Sequence, residues 1–312
     1  MKKTPIIMDV DTGIDDAIAL MLALQSDELE IKGITVVAGN QTLPKTLHNT
    51  LSVVEYLGRK DIPVAKGASC PLVRDQFTAG ATHGETGLGT AHLPEPTIKE
   101  IELDAVSFLR QTLEQSKEKI TLVPVGPMTN IALLLMSYPH VKEKIEKIVM
   151  MGGGAFEGNS NAVTEFNILV DPEAANVVFA SGVPIVMCGL DVTMKAYATM
   201  EDINAVRATG TIAGEFCAEA FQHYYQRYIT NSRLPGCAVH DAVAVTYILH
   251  PEMITTKRAT ARVDIDGKHT YGCTACDFRP GRDKSKDNVD VCFDIDREAF
   301  IKLIIKACES YK

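Results

Sequence analysis

Short runs of almost continuously apolar residues alternate along this chain with longer segments that have helical periodicity. A strand must be apolar along its whole length when helices cover both faces of its sheet, as in parallel sheets. Each intervening segment is long enough for a helix that connects two parallel strands. The pattern therefore predicts an α/β fold with an open, mainly parallel sheet flanked by helices. The predicted strands are 4–10, 29–39, 120–126, 147–153 and 183–191, and the predicted helices are 15–25, 44–58, 101–117, 128–138 and 172–181.

The last third of the chain continues this pattern with less regular spacing. Neither an internal repeat nor a linker-like segment divides the sequence, and we therefore expect a single domain over residues 1–312. The further predicted elements are a polar helical segment at 200–235, a helix at 240–249, β-like stretches at 258–266 and 287–296, and a closing helix at 297–310.

Composition narrows the range of partners. The formal net charge is −9 and no basic block is present, which argues against binding to a nucleic-acid polymer. No apolar run approaches the roughly 20 residues that a membrane-spanning helix needs. The first apolar run is interrupted by Asp9, so the sequence has no secretory pattern. We therefore expect a cytoplasmic protein without a membrane partner.

The eight cysteines are scattered, as expected for reduced thiols that fill the core of a cytosolic protein. Cys273 and Cys276 are spaced as CxxC, but no second pair with zinc-site spacing accompanies them. We interpret both as core residues rather than as a redox or metal site.

The segment "IIMDVDTGIDDAIAL" (6–20) carries the strongest chemical signal, because four aspartates occupy eight positions after the first predicted strand. Ligands of open α/β sheets bind at the carboxyl ends of the strands, where these aspartates lie. One or two aspartates serve as helix caps, but four like charges in a partly dry site repel one another strongly. A hard divalent cation with oxygen ligands offsets this repulsion, and the segment therefore predicts a metal site. The four residues are Asp9, Asp11, Asp15 and Asp16.

Two other families of site share part of this pattern. Haloacid dehalogenase-type phosphatases begin with an apolar strand and DxDx, use the first aspartate as nucleophile, and continue with Thr or Val. Gly13 stands at that position in this chain, and Asp15 and Asp16 are not part of that signature. An EF-hand loop requires a different order of oxygen-bearing residues and glycine.

Seven motifs follow one another along the chain: "DVDTGIDDAIAL", "VAGN" (37–40), "HGETGLG" (83–89), "VPVGPMTN" (123–130), "MMGGG" (150–154), "GNSNAVTEFNILVDPEAA" (158–175) and "VHDAVAV" (239–245). This ordered set resembles the inosine–uridine nucleoside hydrolases, which cut the N-glycosidic bond of nucleosides. The resemblance extends from the first strand to about residue 250 and implies a nucleoside hydrolase fold with a Rossmann-like sheet. It also implies a small-molecule nucleoside as substrate and a homotetramer.

The resemblance implies one Ca²⁺ per subunit, which suits the oxygen-rich aspartate segment. Hydrolysis would proceed by direct attack of a metal-bound water on C1′, with Asp11 as the general base. No covalent intermediate is needed, so we expect inversion at C1′. The implied ligands are Asp11, Asp16, Asp241 and the main-chain carbonyl of Val125.

The same resemblance assigns the substrate-binding residues. Asp15, Asn40, Asn159, Glu165 and Asn167 match positions that bind ribose hydroxyls, and Met151 would lie under the ring oxygen. His240 and His83 match the two histidines around the nucleobase and are the candidate catalytic acids. Tyr224 and Tyr228 lie four apart on one helix face, where they would contact the base or pack in the core or a lid.

The sequence leaves the nature of the base and two alternative functions open. "HGETGLG" lacks the Lys-Ser/Thr of a phosphate-binding P-loop, and an uncharged nucleoside therefore fits better than a nucleotide. Tyr228 favours a relaxed inosine–uridine preference. A phosphatase of the haloacid dehalogenase kind and a non-catalytic nucleoside or sugar sensor are the two alternatives.

Overall fold

The computed structural model describes residues 2–231 and 234–311. The strands in these residues are β1 (Thr4–Val10), β2 (Leu29–Val36), β3 (Val64–Lys66), β4 (Ile120–Pro124), β5 (Ile145–Met151), β6 (Ile185–Cys188), β7 (Tyr197–Ala198), β8 (Cys237–Ala238), β9 (Ile254–Val263), β10 (Thr274–Asp277) and β11 (Val289–Ile295). The α-helices are α1 (Ile14–Leu24), α2 (Leu43–Tyr56), α3 (Gly80–His83), α4 (Ala105–Gln115), α5 (Thr129–Ser137), α6 (Phe166–Val170), α7 (Pro172–Phe179), α8 (Leu190–Thr193), α9 (Met200–Arg207), α10 (Ile212–Asn231), α11 (Ala242–Leu249) and α12 (Arg297–Glu309).

One sheet organises the fold. Its nine strands follow the order β10-β9-β11-β6-β5-β4-β1-β2-β3. The pairs from β3 to β11 are parallel, and only β9 and β10 at one edge run antiparallel to their neighbours. β7 and β8 form a separate antiparallel pair. The prediction of an open, mainly parallel sheet is therefore confirmed.

The apolar runs are buried because helices cover the sheet on both faces. All five residues of β4 are buried, as are the last five of β1. Two hydrophobic clusters lie on opposite sides of the sheet, one with α1, α2, α10, α11 and α12, the other with α4, α5 and α7. Every residue of α1 is buried, because α2, α10, α11 and α12 all pack against it.

Three predicted segments need correction in their boundaries, and two strands of the sheet were not predicted. The segment 200–235 forms two helices, since Gly210 adopts a left-handed φ of 65° after α9 and Thr211 then caps the start of α10. Residues 232–233 of that segment lie outside the described residues. The strand predicted at 183–191 ends at Cys188, and α8 begins shortly afterwards at Leu190. The β-like stretch predicted at 258–266 corresponds to β9, which begins at Ile254, and β3 and β10 were not predicted.

Among the described residues, none of the helices combines the length and the apolar character that crossing a membrane requires. All eight cysteines are free thiols. Cys276 lies on β10, paired with β9, rather than at the start of a helix where a redox CxxC belongs.

A polar brace closes the core beneath the carboxyl ends of the central strands. Asp9 accepts hydrogen bonds from Thr35 on β2 and, at 2.8 Å, from Asn130 Nδ2 on α5. Asn130 also donates to the carbonyl of Val36 at 3.2 Å and accepts from the N–H of Ala68 at 2.9 Å. The brace thus joins β1, β2 and α5 through side chains that are removed from water.

Replacing Asn130 with alanine should lower the free energy of unfolding by about 2–3 kcal/mol, because several buried polar groups lose their partner. Urea denaturation measures this change. Asn204→Ala, on the exposed face of α9, is the matched control and should stay within about 0.5 kcal/mol of the unchanged protein. Equal stability of the two variants would show that the brace contributes nothing.

Candidate active site

The predicted site residues converge where the order of strands reverses. From β1 the chain moves outward through β2 to β3, then returns to β4 on the other side of β1 and continues through β5. The connections that follow β1 and β4 therefore lead in opposite directions and leave a crevice between the carboxyl ends of these two strands. Open α/β sheets bind their ligands in such crevices. Asp11 follows β1, Asn40 follows β2, Val125 follows β4 and Met151 ends β5.

Main-chain amides fix the aspartates at the start of α1. Asp16 lies in the first turn and accepts hydrogen bonds from the N–H groups of Asp11, at 3.1 Å, and Gly13, at 2.8 Å. Asn40 bridges the two carboxylates. Its main-chain N–H donates to Asp11 Oδ2 at 2.6 Å, and its Nδ2 donates to Asp16 Oδ2 at 3.0 Å. The carboxylates of Asp11 and Asp16 are therefore held beside each other.

Two glycines make room for the Asp11 carboxylate. A methyl group added at Gly39 would overlap Oδ2, and one added at Gly126 would lie 2.5 Å from Oδ1. Asp11 is fully buried, and Oδ1 has no hydrogen-bond partner among the described residues. A buried carboxylate oxygen without a partner is costly, and it fits a ligand such as a cation.

Three further carboxylate oxygens meet at the same place. Oxygen atoms of Asp15, Asp16 and Asp241 all lie within 4.8 Å of one another, and all three residues are buried. Burial, followed by the charges of Asp15 and Asp16, raises the pKa of Asp241 well above its usual value. Burial, followed by the charge of Asp16, likewise raises the pKa of Asp11. Hard oxygen donors in this arrangement fit a divalent cation.

The closest group of carboxylate oxygens among the described residues differs from the ligand set implied by the resemblance, because it contains Asp15 and does not include Asp11. Asp15, which the resemblance assigns to the substrate, belongs to the closest group of oxygens together with Asp16 and Asp241. Val125 lines the cavity next to them, as a carbonyl ligand must, and its carbonyl already accepts a hydrogen bond from Asn167 Nδ2 at 2.8 Å.

Glu165 and Asn167 form the polar wall opposite the aspartates. Glu165 Oε1 accepts from the N–H of Asn167 at 2.9 Å, and Oε2 accepts from the N–H of Gly153 at 2.9 Å. Burial raises the pKa of Glu165 to about 7, although main-chain donors oppose this shift. Asn167 Nδ2 also lies 3.3 Å from the sulfur of Met151. These contacts fix the side chains on one wall of the cavity.

His83 contacts the aspartate cluster through Tyr224. The N–H of Ile14 donates to His83 Nδ1 at 3.2 Å, which places the imidazole proton on Nε2. Nε2 lies 3.2 Å from the hydroxyl of Tyr224, and that hydroxyl donates to Asp15 Oδ1 at 3.0 Å. Burial, followed by the neighbouring His240, His223 and Arg227, lowers the pKa of His83 to about 3. His83 is therefore neutral near pH 7.

His240 is held between two hydroxyl groups. Its Nδ1 lies 2.8 Å from Thr193 Oγ1, and its Nε2 lies 2.6 Å from the hydroxyl of Tyr228. Burial lowers the pKa of His240 to about 4. The rings of Tyr224 and Tyr228 are in contact, with centroids 5.9 Å apart. His83, Tyr224, Tyr228 and His240 therefore make one continuous aromatic surface.

These groups surround a cavity of about 420 Å³, a size suited to a small polar molecule. Asp11 and Asp16 are fully buried and do not line it. Sequence reasoning missed Phe166, Met194 and Arg227, although Arg227 lies three residues after Tyr224 on the helix face that was singled out. The predicted residues that line the cavity are Asp15, Asn40, His83, Val125, Met151, Asn159, Glu165, Asn167, Tyr224, Tyr228, His240 and Asp241.

The structure does not support the phosphatase alternative, in which Asp9 would be the nucleophile. Asp9 is 1% exposed, does not line the cavity and is engaged with Thr35 and Asn130. Its neighbour in the DxD pattern, Asp11, lies after the end of β1, so the two carboxylates have separate roles.

Comparisons with known proteins agree with this geometry. The family model described as "Inosine-uridine preferring nucleoside hydrolase" matches residues 6–302. The pyrimidine-specific ribonucleoside hydrolase RihA of Shewanella woodyi is 44% identical over 309 residues, covering 98% of each chain. RihA of Citrobacter koseri is 45% identical over 311 residues, again covering 98% of each. The structure of a purine-preferring ribonucleoside hydrolase from Gardnerella vaginalis matches with a TM-score of 0.91 and 35% identity, covering 98% of both chains.

Removal of divalent cations with EGTA should lower the melting temperature by roughly 5–10 °C, because the buried carboxylates then repel one another. Added Ca²⁺ should restore it. Differential scanning calorimetry measures the shift, and isothermal titration measures the affinity.

Asp16→Asn and Asp9→Asn form a matched pair, since both aspartates are buried and only Asp16 belongs to the oxygen cluster. Asp16→Asn should lower cation affinity by at least about 10-fold, whereas Asp9→Asn should change it little. An equal loss in both variants would contradict the assignment of the site.

Proposed function

The chain belongs to the family of inosine–uridine preferring nucleoside hydrolases, and we propose that it hydrolyses ribonucleosides to ribose and free base in the cavity beside the buried aspartates. The observation that carries this proposal is the division of the cavity into two ends. One end is lined by the buried Asp15 and Asp241, whose carboxylates lie close to that of Asp16 and interact with that of Asp11, and the other presents a continuous aromatic surface. A polar sugar and a planar base match these two ends.

We propose Ca²⁺ as the resident ion, with Asp11, Asp16, Asp241 and the carbonyl of Val125 as its ligands. Bound there, it would lower the pKa of a water molecule and orient that water towards C1′. The all-oxygen donor set and the clustering of three carboxylates within 4.8 Å support this choice. Asp15 is one of these three carboxylates and also lines the cavity, which supports a position for Asp15 between the ion and the sugar.

Asp11 is the proposed general base. Its Oδ2 is fixed by the N–H of Asn40, while Oδ1 has no partner among the described residues and is free to accept a proton. Attack of the water on C1′ would break the bond to the base, and the proton of the water would pass to Asp11 Oδ1. The raised pKa of Asp11, caused mainly by burial, suits a group that must gain a proton.

The sugar would be held by the groups on both walls. Asp15 and Asn40 on one side, and Glu165 and Asn167 on the other, line the cavity and present carboxylate and amide groups that suit ribose hydroxyls. Asn159 lies at the rim, where its Oδ1 accepts from the N–H of Phe166 at 3.0 Å. We propose that these residues position C1′ over the carboxylates.

The base would lie against the aromatic surface. His240 is the proposed donor to the departing base, and the hydroxyl of Tyr228 at 2.6 Å would supply its proton relay. Because burial keeps the pKa of His240 near 4, it would act as a neutral hydrogen-bond donor rather than as an imidazolium. His83 is placed to support the base through Tyr224.

The assembly and the choice between hydrolysis and sensing are proposals as well. The family resemblance supports a homotetramer. A non-catalytic sensor would have no need for an unpartnered Asp11 oxygen beside the sugar end, and this argues for hydrolysis.

Asp11→Asn should lower kcat for ribose release from uridine by at least about 10²–10⁴-fold, because the asparagine amide cannot accept the proton. A reducing-sugar assay measures the release. Asp9→Asn, which carries the same substitution two residues away, should keep kcat within about 10-fold. Full activity of Asp11→Asn would remove Asp11 from the mechanism.

The first ribose formed should be the α-anomer, because direct attack on a β-nucleoside inverts C1′. Proton NMR during the first minutes of the reaction distinguishes the anomers before they interconvert. Initial release of the β-anomer would require a covalent intermediate and would contradict single displacement.

A further inference from the structure

Among the described residues, Arg227 is the one charged cavity residue that neither the sequence motifs nor the proposed mechanism uses. It lies on α10 between Tyr224 and Tyr228, and the three residues line the same cavity. Positions three and four apart on a helix share one face, so the guanidinium extends from the face that carries the two tyrosines. Arg227 therefore belongs to the aromatic end of the cavity.

The guanidinium of Arg227 has no partner within residues 2–231 and 234–311. Every other arginine described there has a hydrogen bond, an ion pair or a ring contact, with one exception, Arg262. Arg262 is exposed on β9, where water solvates it, whereas Arg227 is half-buried beside the two tyrosines. A half-buried cation without a counter-ion is unfavourable, and a ligand that supplies negative charge would offset the cost.

The histidines of this end are already occupied. Nδ1 of His83 accepts from Ile14 and Nε2 lies against Tyr224, while the two nitrogens of His240 contact Thr193 and Tyr228. A base that bound to either histidine would displace a protein partner. Arg227 offers up to five N–H donors, none of them engaged by the described residues, so it is the free charged group at this end.

The chemistry of bond cleavage supplies the missing negative charge. When the bond from C1′ to the base nitrogen breaks, its electron pair goes to the base, and an oxo group on the ring shares the resulting charge. The guanidinium stays positively charged throughout the accessible pH range and donates two parallel hydrogen bonds to such an acceptor. The base anion then takes its proton from water, since His240 is neutral and acts only as a hydrogen-bond donor.

We propose that Arg227 binds the oxo group of the leaving base and stabilises the negative charge that develops there, so that oxo-bearing bases such as uracil leave faster than adenine. This inference rests on the proposed hydrolysis of ribonucleosides and adds to it a residue that acts on the leaving base. Arg227 acts directly on the leaving group, which makes it a catalytic and specificity-determining residue.

Two substrates separate a role at the leaving group from a structural role. Uridine has a poor leaving group, whereas 4-nitrophenyl β-D-ribofuranoside carries the same sugar with a leaving group that departs readily without assistance. Arg227→Gln should lower kcat/KM for uridine by about 10–100-fold, the range of a charge-assisted hydrogen bond, with most of the loss in kcat. The same variant should cleave the nitrophenyl riboside within about 2-fold of the unchanged protein.

Three controls complete the test. Arg227→Lys keeps the charge and should recover about half or more, on a logarithmic scale, of the uridine activity lost in Arg227→Gln. Gln226→Ala, on the exposed side of the same helix, should leave both substrates unchanged. The ratio of kcat/KM for uridine over adenosine should fall in Arg227→Gln, because adenine has no oxo group.

Equal losses on uridine and on the nitrophenyl riboside, or no loss on uridine, would overturn the inference while leaving hydrolysis intact. If the unchanged protein released ribose from neither substrate, the proposed function itself would fail, and the role of Arg227 would fail with it.

Discussion

At the carboxyl ends of the central strands, Asp11, Asp15, Asp16 and Asp241 are withdrawn from water within reach of one another. Burial raises the free energy of each ionised carboxylate, and each charge adds to the cost of the others. Main-chain donors offset part of this cost, and protonation or a bound cation would offset the rest. The surrounding structure can be understood as the set of elements that supply those donors.

The donors come from the start of α1 and from the loop after β2. Asp16 accepts two main-chain N–H groups, and Asn40 donates to both Asp16 and Asp11. Gly39 and Gly126 let the loops after β2 and β4 approach the Asp11 carboxylate more closely than any side chain would permit. Each of these loops follows a central strand at the reversal of strand order, so the sheet topology itself brings them together.

Sequence reasoning located most strands of the central sheet, the central helices and the aspartates, because burial on both faces and charge clustering leave strong local patterns. The structural role of Asp9 could not be predicted from such local patterns. It resembles its neighbours in sequence, yet Asn130, 121 residues away, draws it into a brace beneath the site. Arg227 shows the same limit, since only the packing of α10 against the cavity distinguishes it from an ordinary surface arginine. The break between α9 and α10 occurs at Gly210. It was not predicted, because the residues on both sides of this single glycine have a helical pattern.

The two ends of the cavity are connected by hydrogen bonds rather than merely adjacent. Asp15, in the carboxylate cluster, accepts from Tyr224, and Tyr224 contacts His83. His240 is the residue before Asp241 and is fixed by Tyr228, whose ring touches Tyr224. A change in charge at the carboxylates therefore alters hydrogen bonds that orient the aromatic surface. A sugar hydroxyl that bonds to Asp15 must share it with Tyr224, so binding of the sugar and positioning of the base cannot be independent. In the proposed reaction, the sugar would lie at the carboxylate end and the base at the aromatic end. This hydrogen-bond network would then link the protein groups on the two sides of the bond to be broken.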